Sequence, residues 1–185
     1  MTRRSRTIAG MAVLMALIAG VPLMTAQAPS TPKKETFDGV RNFTNVDPTI
    51  ACAGATEARV MPELARRGYK AVINLREATE AGAAIEETRQ AASAAGIRFI
   101  HIPLNSQKPD AAVVDTFLKA VVDPANQPTF INCGSASRVS GLVLVKRLLV
   151  DGWPEERALE EAAAIGPPSA TMREFALGYV ASRRK

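Results

Sequence analysis

Between Tyr69 and Ser182 short β-rich runs alternate with longer helical stretches, and this alternation constrains the fold more than any other feature of the chain. Tyr69-Lys70-Ala71-Val72-Ile73-Asn74-Leu75 is rich in strand formers and follows Gly68, a helix stop, so a helix is expected over 62–67 and a strand after it. A second helix is expected over 84–95, stopping at Gly96, with the next strand running from Ile97 to Leu104. Asp110 is placed to cap a helix over 111–122, where Val113, Val114, Phe117, Leu118 and Val121 share one apolar face. Thr129-Phe130-Ile131-Asn132 reads as a short buried strand that runs directly into Cys133, with a helix over about 139–150 behind it. Further helices are expected over 154–165, ended by Gly166-Pro167-Pro168, and over 170–182. Strands alternating with helices favour parallel pairing, so the expectation is an α/β three-layer sandwich with a central, mostly parallel sheet.

The 185 residues suit one domain with an appendage. Arg3, Arg4 and Arg6 precede an uncharged apolar run from Ile8 to Met24, and Ala26-Gln27-Ala28 follows as a small-x-small cleavage pattern. This is the layout of a secretory signal, so residues 1–28 are read as a signal peptide and the protein as exported, periplasmic or secreted. Pro29 disfavours cleavage and leaves open a retained membrane anchor. Residues 29–42, with Pro29, Pro32, Lys33, Lys34 and Glu35, read as a polar linker, and residues 43–185 as the domain. The formal net charge is +5, but three basic residues belong to the signal; without them 20 basic residues face 18 acidic ones. Aromatic content of 5% gives little to stack on bases, and no nucleic-acid partner is expected.

Phe130-Ile131-Asn132-Cys133-Gly134-Ser135-Ala136-Ser137-Arg138-Val139 carries the chemistry. In a parallel α/β sheet ligands bind outside the carboxyl ends of the strands. Loop amides and a helix N-terminus there favour negative charge, and the same field favours a thiolate. Gly134, Ser135, Ala136 and Ser137 are small enough for the backbone to curl round an anion, and Arg138 can fork onto two of its oxygens. Cysteine, anion nest and arginine together read as a nucleophilic site. With one histidine and two cysteines in the chain, a His-based zinc site, a Ser-His-Asp triad and a disulfide framework are all disfavoured; no metal and no cofactor is expected.

These residues carry a resemblance. Ala53-Gly54-Ala55-Thr56-Glu57, Ala71 to Arg76, His101-Ile102-Pro103-Leu104, Cys133 to Arg138, and Val150-Asp151-Gly152-Trp153 before a Glu-rich helix are similar to the beta-lactamase hydrolase-like, phosphatase-like domain family, which is related to dual-specificity and tyrosine phosphatases. The resemblance implies a tyrosine-phosphatase-like fold, with Cys133 as nucleophile forming a phosphocysteine intermediate and Arg138 as oxyanion clamp. It also implies that the amides from Gly134 to Arg138 hold the equatorial oxygens, and that Ser135 or Ser137 donates to the thiolate. The general acid of such enzymes is an upstream Asp. Here Asn105 follows the Ile-Pro-Leu run, which leaves Asp110 as the candidate, equally suited to be a helix cap.

Only four residues separate Cys133 from Arg138, a loop length nearer that of rhodaneses. Two alternatives therefore stand beside the phosphatase: a sulfurtransferase carrying a persulfide on Cys133 with a sulfane-sulfur substrate, and a non-catalytic anion- or phosphopeptide-binding module. Arg76, at a strand end on the presumed active edge, is a candidate anion-binding residue. His101 is read as structural and Trp153 as the anchor of a turn. Cys52 is either a small core residue or a redox partner of Cys133.

Overall fold

The computed structural model describes residues 31–184, and the export signal expected over 1–28 lies outside them. Six strands form one sheet: β1 (Lys33–Lys34), β2 (Thr44–Asp47), β3 (Ile50–Ala53), β4 (Ala71–Asn74), β5 (Arg98–His101) and β6 (Thr129–Asn132). Their spatial order is β1-β2-β3-β6-β4-β5. The pairs β3–β6, β6–β4 and β4–β5 are parallel, whereas β1–β2 and β2–β3 are antiparallel. The helices are α1 (Met61–Arg66), α2 (Ile85–Ala94), α3 (Ala111–Val122), α4 (Ser137–Leu149), α5 (Glu155–Ile165) and α6 (Ala170–Arg183).

Successive residues of each central strand point to opposite faces, and each face has its own core. Ile50, Cys52, Ile73 and Ile131 pack with Phe117, Leu142, Leu144, Ala162 and Met172 from α3, α4, α5 and α6. Ala51, Val72 and Phe130 pack on the other side with Met61, Leu64 and Ala92 from α1 and α2. Helices thus cover both faces, which gives the three-layer α/β sandwich with a mostly parallel sheet that the sequence suggested. β3, β4 and β6 are buried along their whole length, the condition under which parallel strands read as unbroken apolar runs.

The hairpin of β2 and β3 went unread in the sequence. Asp47 closes it: its Oδ1 accepts from the amides of Thr49 (2.7 Å) and Ile50 (3.0 Å). The segment expected as a tether is also part of the fold from Lys33 onward. β1 pairs with β2, and Phe37 and Val40 are buried against Phe43 and Val60. The reason is the sheet edge: β2 would otherwise present unpaired backbone, and two apolar residues among the polar ones suffice to hold the segment there.

Behind the sheet Arg147 of α4 is almost wholly buried and serves three carboxylates, Asp47 of β2, Asp151 and Glu161 of α5. Trp153, read as a turn anchor, lies between the Arg147 and Arg157 guanidinium groups, 4.4 and 3.4 Å from its ring centroid. The network ties the antiparallel edge to the α4–α5 turn. Among the described residues no helix is long and apolar enough to cross a membrane.

Candidate active site

The parallel register sets Ala53, Asn132, Asn74 and His101 in one row across β3, β6, β4 and β5. The loops after all four strands therefore leave the sheet at the same level, and the Cys133 loop leaves from the middle. Cys133 is 1% exposed. Its amide donates to Ala53 O (3.3 Å), and its Sγ accepts from the amide of Ala136 (3.2 Å). Ala136 makes this contact from a left-handed conformation, φ 81°, at the N-cap of α4. The thiol is thus turned into its own loop and held by a backbone donor at the N-terminus of α4. The hydrogen bond expected from a serine comes from the Ala136 amide instead. Ser135 is exposed, and the Ser137 hydroxyl accepts from the Ser169 amide (2.8 Å), which braces the loop from behind.

The amides of Gly134, Ser135, Ser137 and Arg138 have no hydrogen-bond partner among the described residues. Four unpaired donors flanking the Ala136 amide, beside a cysteine and at the N-terminus of α4, favour an anion there. Two glycines let other groups close on this loop. A Cβ on Gly134 would lie 3.3 Å from Arg138 Nη2, and one on Gly54 would lie 3.1 Å from Gly134 O and 3.2 Å from Ser135 Cα.

Arg138 is 8% exposed, and its guanidinium is divided between two tasks. Nη1 donates to Leu75 O (3.2 Å), Leu104 O (3.0 Å) and Glu80 Oε1, while Nη2 donates to Glu80 Oε2 (2.8 Å). The Nη1–Nη2 edge is therefore spent on Glu80 and two carbonyls. Glu80 and the carbonyls leave the Nε–H and the second Nη2–H over, and the guanidinium also interacts with the Cys133 side chain, which sets two N–H donors able to clamp an oxyanion beside the cysteine. The Arg138 hydrogen bond holds the Glu80 carboxyl down to about 2, against the burial that would raise it. Desolvation opposes the Arg138 cation, but Glu80 and the neighbouring Cys133 outweigh it and push the guanidinium further up.

Glu80 was absent from the sequence reading. A buried arginine demands a carboxylate, but Glu77 and Glu80 lie on the same short loop and the sequence did not choose between them. The structure divides them: Glu80 takes Arg138, and Glu77 accepts from Asn105 Nδ2 at 3.2 Å on each oxygen. Arg76, a candidate anion ligand, has its guanidinium committed to the same loop, with bonds to Glu80 Oε2 (3.2 Å), Ala81 O (2.6 Å) and Gly82 O (2.7 Å). It shapes the loop that holds Arg138. Asp110 Oδ1 accepts from the amide of Ala112 (2.9 Å), the N-cap of α3. His101 Nε2 lies 2.8 Å from Arg76 O, in the structural role read for it.

Cys52 of β3 is paired in register with Ile131, two residues before Cys133, and both cysteines are free thiols. Complete burial pushes the Cys52 thiol well up. Among the described residues no group of three or more His, Cys, Asp or Glu is arranged to hold a metal ion.

The sequence profile of one family, described as beta-lactamase hydrolase-like protein, phosphatase-like domain, matches residues 42–149. The chain belongs to this family. The matched span starts just before β2 and ends with α4, so it contains the whole parallel sheet, Glu80 and the Cys133–Arg138 loop. No curated protein matches the chain. Among solved structures it is similar to P. aeruginosa TpbA in complex with pTyr (21% identity, TM-score 0.61, 83% of this chain and 90% of that one). It is also similar to the core catalytic domain of the PP-IP phosphatase SIW14 from S. cerevisiae in complex with citrate (20%, 0.64, 78% and 93%). Tk-PTP in its active form is a third neighbour (18%, 0.64, 80% and 99%). The phosphatase-like domain thus shares its fold with a bacterial protein and with a yeast phosphatase.

Proposed function

We propose that this phosphatase-like domain hydrolyses phosphate monoesters through Cys133. The observation that carries the reading is the Arg138 guanidinium, held by Glu80 on one edge and interacting with Cys133, beside a cysteine loop with four unpaired amides. The Cys133 thiolate attacks phosphorus, a sulfur–phosphorus bond forms, and the ester P–O bond breaks with its electrons leaving on the alcohol oxygen, which takes up a proton. Water then attacks phosphorus, the S–P bond breaks, and inorganic phosphate and the thiolate are released. Arg138 and the loop amides stabilise the equatorial oxygens, whose charge is largest in the transition state. Asp110 caps α3 with one carboxylate oxygen, so leaving-group protonation is the weakest part of this apparatus. Aryl phosphates, whose leaving groups need little protonation, are the substrates of choice for a first assay.

Sulfur transfer draws on the four-residue interval between Cys133 and Arg138. One pair of assays decides between the readings. The purified domain is tested with 4-nitrophenyl phosphate and, separately, with thiosulfate plus cyanide. Release of nitrophenol that falls by about 10³-fold or more in Cys133→Ser supports the phosphatase. Thiocyanate formation without phosphatase activity establishes sulfur transfer, and inertness in both with retained phosphate binding leaves a binding module.

A further inference from the structure

A cleft of about 740 Å³ opens beside Gly134, with one wall from residues 39–41 and 55–59 and another from residues 81–87. Its volume suits a substrate body far larger than one phosphate. Five charged residues line it: Arg41, Glu57, Arg59, Arg76 and Glu87. Arg59 is paired with Asp38 and Glu57, and Arg76 with Glu80 and two carbonyls. Arg41 and Glu87 have no side-chain partner among the described residues, and they come from different walls of the cleft.

Arg41 is tied to the cysteine loop. Its amide donates to Ala55 O (2.8 Å), its carbonyl accepts from Gly54 N (2.8 Å), and the Ala55 amide donates to Gly134 O (3.0 Å). Its side chain passes over Gly54: the position of a Cβ there is 3.3 Å from Arg41 Cδ, as well as close to Gly134 O and Ser135 Cα. The missing side chain of Gly54 lets the Arg41 stem lie along the first residues of the loop, with its cation at the cleft.

We propose that Arg41 forms a second anion subsite, so that the cleft selects phosphate esters carrying a further anionic group. The reacting phosphate sits in the loop of Cys133 and Arg138 and the second anion against Arg41, while Glu87 disfavours an anion on the α2 side. The subsite deepens the phosphatase reading and rests on it for the identity of the reacting group.

Binding to the Cys133→Ser protein, without divalent cations, tests this by calorimetry with inorganic phosphate, pyrophosphate and tripolyphosphate, a series of growing reach. Tripolyphosphate is expected to bind about tenfold more tightly than phosphate, since an exposed charge-assisted contact is worth about that factor. Adding Arg41→Gln should shrink the ratio to below about threefold while phosphate affinity stays the same, because the contact is lost. Arg173→Gln, an exposed change of the same charge on α6, should leave the ratio intact. An unchanged ratio in Arg41→Gln, an equal fall in Arg173→Gln, or no binding of any of the three anions overturns the subsite. Failure of the cysteine-intact protein to release nitrophenol would instead count against hydrolysis, with the binding ratio still judging Arg41.

Discussion

Glu80 grips Arg138 with both carboxylate oxygens, Nη2 to Oε2 at 2.8 Å, and so decides which edge of the guanidinium faces the cysteine loop. Glu80→Gln keeps the shape but replaces one acceptor with a donor that opposes Nη1 or Nη2. It is expected to lower kcat/KM for 4-nitrophenyl phosphate by about 10- to 100-fold, the cost of a misaligned clamp. Glu77→Gln, on the same loop but bonded to Asn105, should cost far less. Equal losses in the two variants would refute the assignment.

The same pair sets an acid limit on stability. The Glu80 carboxyl is held at about 2, chiefly by its Arg138 hydrogen bond, below its ordinary value of 4.5. A depressed folded-state value means that its contribution is complete above the unfolded-state value and is lost as pH falls towards 2. The stability difference between the wild-type domain and Glu80→Gln should therefore be constant from neutral pH down to about 5 and shrink below about 4.5. Denaturant titrations across this range check it; a difference that grows on acidification would contradict the pairing.

Gly54→Ala tests the close approach that shapes the nest. Its Cβ would meet two backbone atoms of the cysteine loop, Gly134 O at 3.1 Å and Ser135 Cα at 3.2 Å, neither of which can swing aside. A loss of about 1–3 kcal/mol is expected from overpacking. Weakened phosphate binding should accompany it, read by thermal unfolding and calorimetry on one preparation.

Asp110 offers a cap and a carboxyl group, and substitution separates them. Asp110→Ala should cost about 1 kcal/mol through the lost bond to the Ala112 amide, and Asp110→Ser should recover most of it. Activity towards aryl phosphate should follow the cap, with Asp110→Ser close to wild type. A serine variant that is stable yet loses about 10²-fold or more in kcat would make Asp110 the proton donor after all.

Much of this architecture was legible because local signals agreed with one another. The helix over 111–122 has a capping aspartate and an apolar face, and it is found at Ala111–Val122. The strand before Cys133 is a short apolar run between a proline and a small-residue loop, and it is found at Thr129–Asn132. The β2–β3 hairpin escaped because its turn is only Pro48-Thr49 and its strands have four residues each, too few for alternation to stand out. At the site, the loop and Arg138 were readable from spacing, since each acts through its neighbours in sequence. Glu80 and Arg41 were not, because what places them is contact across the sheet edge: Glu80 lies 58 positions before its partner, and Arg41 reaches the loop over a glycine that has no side chain to announce it.

The flush ending of the four parallel strands has a consequence for how such a domain acquires new substrates. Cys133 and Arg138 sit at the end of β6 and on α4, whereas the cleft walls are mostly connecting segments, one of which continues from Glu80, the residue that holds Arg138. Rewriting the wall that carries Arg41 would reshape the cleft with the Glu80–Arg138 pair untouched, whereas rewriting the wall that follows Glu80 would alter cleft and pair together.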